Sequence, residues 1–353
     1  MTPGEVSPTP PQPPTPPVAS GAPGPGDEVF SLEDVLSAVE ASVELTRVPG
    51  AESLWEGPNV VLPGYRRLFG GQLLAQAIAA AALAGEAAGK IARSLHLVFL
   101  AEGRPDSPTR WSAEPLHGGR TFATCSVTAR QGERLLAAGL VSLHVPDEAE
   151  RVLEHSAAPV LVPPPEEVAA IGQLGAMAFE TRPILSPEPL SRAVGPAGAP
   201  FWRGERDVSV PNNTPERGRS GGAGPPALDG LAIGPPELAV WMRAPRAPRA
   251  GASQLAHQEL LAFASDLTMM VAAMRPHEGI GFGSPLVGAT AVTSHTISFH
   301  RPARVDGWLL FVQESPAAAG GRAYIRGDWF DTAGTVVASC AQEVLIRVAE
   351  SHG

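Results

Sequence analysis

Two distant stretches of this chain carry the same punctuation, and that repetition limits what it can fold into. Gly118-Gly119-Arg120 ends 12 residues before Gly132, and Gly320-Gly321-Arg322 ends 12 residues before Gly334. Glycines so placed mark turns, so an identical hairpin is expected in each copy. Before each hairpin lies one helical stretch. The first, residues 69–83, opens on a glycine pair and continues with small and apolar residues on nearly every face, as in a helix surrounded by protein. Strand-forming runs follow it at 93–100, 109–116, 121–130 and 134–145, separated by Gly or Pro turns. The second copy predicts a helix over 258–274 and strands over 289–300, 308–314, 323–331 and 336–348. One helix followed by antiparallel hairpins, twice over, predicts an α+β architecture in which each sheet wraps a helix.

Composition sets the surroundings. With 353 residues, 44% hydrophobic and 18% charged, the chain can bury one large core or two medium ones. A net charge of -10 argues against a nucleic-acid partner. Cys125 and Cys340 sit in apolar runs and read as small buried hydrophobes of a reducing compartment. The N-terminus lacks a signal-peptide pattern and no unbroken apolar stretch reaches membrane-span length, so a cytoplasmic protein with no membrane partner is expected. Residues 1–28 are dominated by Pro, Gly, Ser and Thr and read as a disordered tail. Ser31 with Asp34 resembles a capping box ahead of Val35, Leu36 and Val39, which predicts a first short helix. The modules are expected at 29–146 and 236–349. Between them, 147–235 reads as an insertion rich in Pro, Gly and Arg, with a strand-like island at 177–184, while the strand-like run 238–243 is expected to start the second module.

Few side chains in these modules look chemical. Asp266 lies in the interior of the second predicted helix, where the run 260–270 has so little polarity that an ionised carboxylate is costly without partners. A structural acid bonded to main chain or to Ser265 and a catalytic acid both fit. Gln342 and Glu343 are strand neighbours, so one faces inward and the other outward. His96, His257, His295 and His300 form no Ser-His-Asp pattern and no metal-ligand spacing, and read as packing or hydrogen-bonding residues. Neither a P-loop nor a dinucleotide fingerprint occurs, so no metal or cofactor is expected.

Several segments share one order and spacing: Phe69-Gly70-Gly71-Gln72, Ser94-Leu95-His96 with Phe99-Leu100, Ala264-Ser265-Asp266-Leu267, Phe299-His300-Arg301-Pro302, and Val337-Ala338-Ser339 with Gln342-Glu343. Together they resemble the signatures of type II acyl-CoA thioesterases, over roughly residues 31–145 and 236–348. The resemblance implies a double hot-dog fold and hydrolysis of fatty-acyl-CoA to fatty acid and CoA. It assigns Asp266 as the base that activates a water, Gln342 as the amide that orients it, and a Ser or Thr as third member. Here the chain departs from the pattern, because counting back from Phe299 puts Val292 at the hydroxyl position. Thr293, brought in by a one-residue bulge, and Ser294 are the candidates. Gly70 and Gly71 are the substrate-binding candidates, since glycines at a helix start let main-chain N–H groups approach an oxyanion; tight packing of the helix is the alternative. The resemblance also implies a homo-oligomer, dimer or tetramer. A non-catalytic acyl-CoA binding or regulatory module is the competing reading, favoured by the missing hydroxyl.

Overall fold

A computed structural model describes residues 31–348 except 63–64, 85–86, 88, 147–152, 158, 171–177, 187, 192–232, 249–252 and 283. The expected tail and much of the expected insertion lie outside the described residues.

The chain begins with helix α1 (Leu32–Val43), where Ser31 and Asp34 close the capping box and Val35, Leu36 and Val39 form the buried face. Two short strands that the sequence did not announce follow, β1 (Thr46–Arg47) and β2 (Leu54–Gly57). Helix α2 (Gly70–Leu83) is buried along almost its whole length. Its two glutamines take up the polar groups nearby. Gln72 Oε1 accepts from Val60 N–H, Gln76 Nε2 donates to Ser42 O, and Trp111 Nε1 donates to Gln76 Oε1. Strands β3 (Ile91–Phe99), β4 (Thr109–Gly118), β5 (Phe122–Gln131) and β6 (Arg134–His144) complete the first copy.

The second copy repeats the plan with β8 (Glu237–Arg243), α3 (Gln254–Ser265), a further short helix α4 (Met269–Met274), β9 (Val287–Phe299), β10 (Leu309–Ala319), β11 (Arg322–Phe330) and β12 (Val336–Val348). The expected helix over 258–274 is therefore two helices, with the break at Asp266. The hairpins also differ. In β10–β11, Ala319 stands opposite Arg322 and the turn is Gly320-Gly321, both at positive φ (59° and 71°), as a two-residue primed turn requires. In β4–β5, Gly118 stands opposite Ala123 and the loop is longer, so the same Gly-Gly-Arg triplet serves two turn geometries.

Among the described residues all strands join one 12-stranded antiparallel sheet in the order β1-β2-β4-β5-β6-β3-β9-β12-β11-β10-β8-β7, where β7 is Glu180–Ile184. The two copies meet at β3–β9, with Ser94 to Val98 paired against Ser298 to Ser294. Both edges are blunted, one by the two-residue β1 and the other by the short β7 with Pro183. The helices pack on the strands of both copies, and one apolar core runs through them from Val35 to Val344. A second, smaller core lies on the other face of the C-terminal half. There Val160, Val162 and Ile184 cover Trp241, Leu310, Val312 and Phe330, so this part of the expected surface insertion is packed. Trp241 Nε1 donates to Pro163 O at 2.9 Å, and Arg182 and Arg243 flank the Trp308 ring while sharing Glu180.

One buried amide ties α3 to the seam. Gln258 Nε2 donates to Ala92 O at 2.7 Å and its Oε1 accepts from Ala92 N–H at 2.9 Å, beside the register shift in β3 between Ala92 and Ser94. Gln258→Leu strands both main-chain groups, so urea unfolding is expected to show a loss of about 1–3 kcal/mol. Unchanged stability would show that the main chain finds other partners.

Candidate active site

Helix α3 stops at Asp266 without a Pro or Gly to end it. Three short polar side chains compete with the helix instead. Ser265 Oγ donates back to Ala262 O at 2.8 Å, Asp266 turns its carboxyl into tertiary contacts, and Thr268 Oγ1 donates to Gln313 Oε1 at 3.0 Å. Asp266 is thus the C-terminal cap of α3, at φ -93° and ψ -4°, rather than a residue of its interior.

The carboxyl reaches two other elements. Gln342 Nε2, on β12, donates to Asp266 Oδ1. Gly71 N–H, in the first turn of α2, donates to the same carboxyl. Here glycine is required. A Cβ on Gly70 would lie 2.5 Å from Asp266 Oδ2, and one on Gly71 would strike Phe263 O. The carboxylate can therefore sit on the start of α2 only because the chain has no side chains there.

Phe69, Phe99 and Phe263 line this region; Phe69 and Phe263 meet edge to face with centroids 5.0 Å apart, and Phe99 lies beside Gly70. Burial in these surroundings lifts the Asp266 pKa from 3.8 to about 7, while the bonds from Gln342 and Gly71 pull it down. Asp266 nevertheless keeps part of its surface accessible. Tyr65, packed edge to face on Phe69, has its phenol pKa raised by burial and then by the Asp266 charge, which places it within electrostatic reach. Its signal in the sequence was only its place four residues before Phe69.

The remaining candidates separate. Gln342 is buried and Glu343 faces the other side, where it pairs with Arg322. Ser294 stands opposite Glu343 and the exposed Val98, on the sheet face away from the helices, so the structure does not bring it to Asp266. A bulge does occur at the third candidate. The β9–β12 register passes from Ser294–Glu343 to Val292–Val344, leaving Thr293 as the extra residue. Val292 packs on the main core opposite buried Val344, and the Thr293 hydroxyl donates to Glu343 O at 3.0 Å. The histidines are all hydrogen-bonded: His96 to Thr296, His300 to Ser339, His257 to Val305 N–H and His295 to Ser265. Two clefts, of about 240 and 600 Å³, lie elsewhere and neither is lined by Asp266 or Gln342. Among the described residues no group of three or more His, Cys, Asp or Glu side chains is arranged to hold a metal ion, and no helix is long and apolar enough to cross a membrane.

Residues 62–144 match the family model of the acyl-CoA thioesterase N-terminal domain, and residues 187–346 that of the acyl-CoA thioesterase C-terminal domain. An acyl-CoA thioesterase 2 of Haemophilus influenzae is 30% identical over 322 residues, covering 90% of this chain and 100% of that protein. The chain belongs to the acyl-CoA thioesterase family. It is a thioester hydrolase that acts on acyl-CoA. Mouse acyl-coenzyme A thioesterase 8 is 28% identical over 89% of this thioesterase and 91% of its own length. Among solved structures, a thioesterase II (TesB2) of Mycobacterium marinum superimposes with a TM-score of 0.62 at 22% identity, covering 90% of this chain and 99% of that one. A hot-dog protein of Alicyclobacillus acidocaldarius does so with 0.60 at 18% identity over 88% and 98%. These likenesses bear out the double hot-dog fold.

The raised pKa also makes a claim about the thioesterase's stability. Folded Asp266 holds its proton more tightly than the unfolded chain does, so its contribution is fully present below about pH 4 and is lost as the pH rises through about 7. Glu259, buried on α3 and pushed up to about 8, behaves alike. Asp266→Asn removes only the first loss. Its melting temperature is expected to exceed that of the parent by a margin that widens from pH 5 to pH 8; a margin independent of pH would contradict the assignment.

Proposed function

We propose that this thioesterase hydrolyses fatty-acyl-CoA with a water that Asp266 deprotonates and Gln342 orients. The observation that carries this reading is the contact between Asp266 and Gln342: a carboxyl whose pKa burial raises to about 7, fixed by an amide and only partly accessible to solvent. A base with a pKa of about 7 is about half ionised at neutral pH and fully so a little above it, yet it is strong enough to take a proton. The phenylalanines around it suit a hydrocarbon acyl chain. Gly70 and Gly71 would receive the thioester carbonyl at the start of α2, where N–H groups favour negative charge. Gly71 N–H serves Asp266 in the resting protein. As Asp266 takes up the proton its charge vanishes while the oxyanion forms, so the helix start then faces the charge that needs it.

The same reading extends to organisation. The two modules, 29–146 and 236–349, would be joined by the 147–235 insertion, with both contributing to the site through Gly71, Asp266 and Gln342. A homo-oligomer, dimer or tetramer, and a cytoplasmic location are part of the proposal. The free, buried Cys125 and Cys340 support a reducing compartment.

One observation favours a binding or regulatory module instead, namely that Val292 takes the hydroxyl position and Thr293 gives its proton to main chain. Acyl-CoAs of graded length, with the released thiol trapped, decide between them. Thiol release with kcat/KM rising through about pH 7 and level above is expected, because the base must be ionised. Asp266→Asn is expected to lower it by about 10²–10⁴-fold. No thiol from any acyl-CoA would sink the hydrolytic mechanism, and unchanged release by Asp266→Asn would remove Asp266 from it.

A further inference from the structure

Two neighbouring strands each send one side chain to the end of α3. Gln342 on β12 and His295 on β9 are direct cross-strand partners, 2% and 0% exposed. Gln342 Nε2 donates to Asp266, and His295 Nε2 lies 2.9 Å from the hydroxyl of the preceding residue, Ser265. That hydroxyl already gives its one proton to Ala262 O. His295 must therefore be the donor, which fixes the proton on Nε2 and leaves Nδ1 as an acceptor. Burial and then the neighbouring His96 lower the pKa of this ring to about 3, so it is neutral at working pH.

Each of these side chains is left with one unused atom. Gln342 Oε1 and His295 Nδ1 are buried and have no hydrogen-bond partner among the described residues. Two acceptors on one rung of an antiparallel ladder, with Cα atoms roughly 4.5–5.5 Å apart, call for a donor with two hydrogens, and water is the smallest. The hydroxyls do not compete for this place. Ser294 is on the other face, Thr293 donates to Glu343 O, and Val292 has none.

We propose that His295 Nδ1 takes the part of the missing hydroxyl, holding the attacking water beside Gln342 Oε1. The proposal rests on the reading that Asp266 activates a water. In the resting site the water gives its hydrogens to His295 and Gln342. In the reaction it keeps one on His295 and turns the other to Asp266. That O–H bond breaks as the new C–O bond to the acyl carbon forms, and when the C–S bond breaks the leaving thiolate recovers the proton from Asp266. His295 itself neither gains nor loses a proton.

Two substitutions divide the ring's two roles. His295→Gln can place a donor at the Nε2 position for Ser265 but has no acceptor at the Nδ1 position. His295→Asn does the reverse. With Asp266→Asn run alongside, His295→Gln is expected to lower kcat about 10–100-fold with KM little changed and the pH midpoint still near 7, and His295→Asn to keep more of kcat. Parental kcat in His295→Gln, while Asp266→Asn is inactive, would overturn this inference and leave the Asp266 reading standing. A lower kcat in His295→Asn than in His295→Gln would also overturn it, since Ser265 would then be the important contact. A parent that releases no thiol would remove both. Should either variant fail to fold, a high-resolution crystal structure of the parent answers the question: a water within hydrogen-bond distance of both Nδ1 and Oε1 supports the proposal, and its absence overturns it.

Discussion

A carboxylate resting on the first turn of a helix from the other copy of the repeat is the contact on which the rest depends. Asp266 at the end of α3, Gly71 at the start of α2 and Gln342 on β12 come from three elements far apart in sequence. They meet only because the sheet continues across β3–β9 and carries both helices on one side. A break in that seam would part the carboxyl from the helix start that partly neutralises it. The small residues of α2 follow from the same need, because a helix that receives both a neighbouring helix and a charge at its N-terminus has no room for side chains there.

The chemistry lies in a balance. Burial among phenylalanines favours the neutral acid more than the bonds from Gln342 and Gly71 favour the anion, and the result lies near neutrality. A fully solvated Asp would be too weak a base, and a fully enclosed one would stay protonated. The break between α3 and α4 keeps the acid at this intermediate point. It frees Asp266 from the helix, and Ser265 and Thr268 on either side are anchored to His295 and Gln313. The fold gives up helical continuity where this polar group turns out of the helix.

Much of this plan could be read from residues. The glycine spacing exposed the repeat, the apolar runs located α2 and α3, and the collinear motifs singled out Asp266 and Gln342. Three things escaped for physical reasons. The helix break came from Ser265, Asp266 and Thr268 bonding to strands that local propensity does not see, and an unbroken apolar pattern reads as one helix. The bulge at Thr293 is a matter of register between β9 and β12, so counting along one strand could raise it as an option but could not show whether Val292 or Thr293 turns inward. The packed segment around Val160 and Val162 looked like linker because its few apolar residues matter only against Trp241 and Phe330, which arrive much later in the chain. His295 was legible as a hydrogen-bonding histidine, but its unused Nδ1 depends on where the Ser265 proton goes.

The account stands or falls on the charge state of one side chain. An infrared titration of protein labelled with ¹³C at its aspartate carboxyls, with the Asp266→Asn spectrum subtracted, follows that group without relying on turnover. A protonated-acid band that disappears with a midpoint near pH 7 is the predicted result. A midpoint in the ordinary aspartate range near 4 would mean that the carboxyl is already solvated, and with it the reason for calling Asp266 the base would be gone.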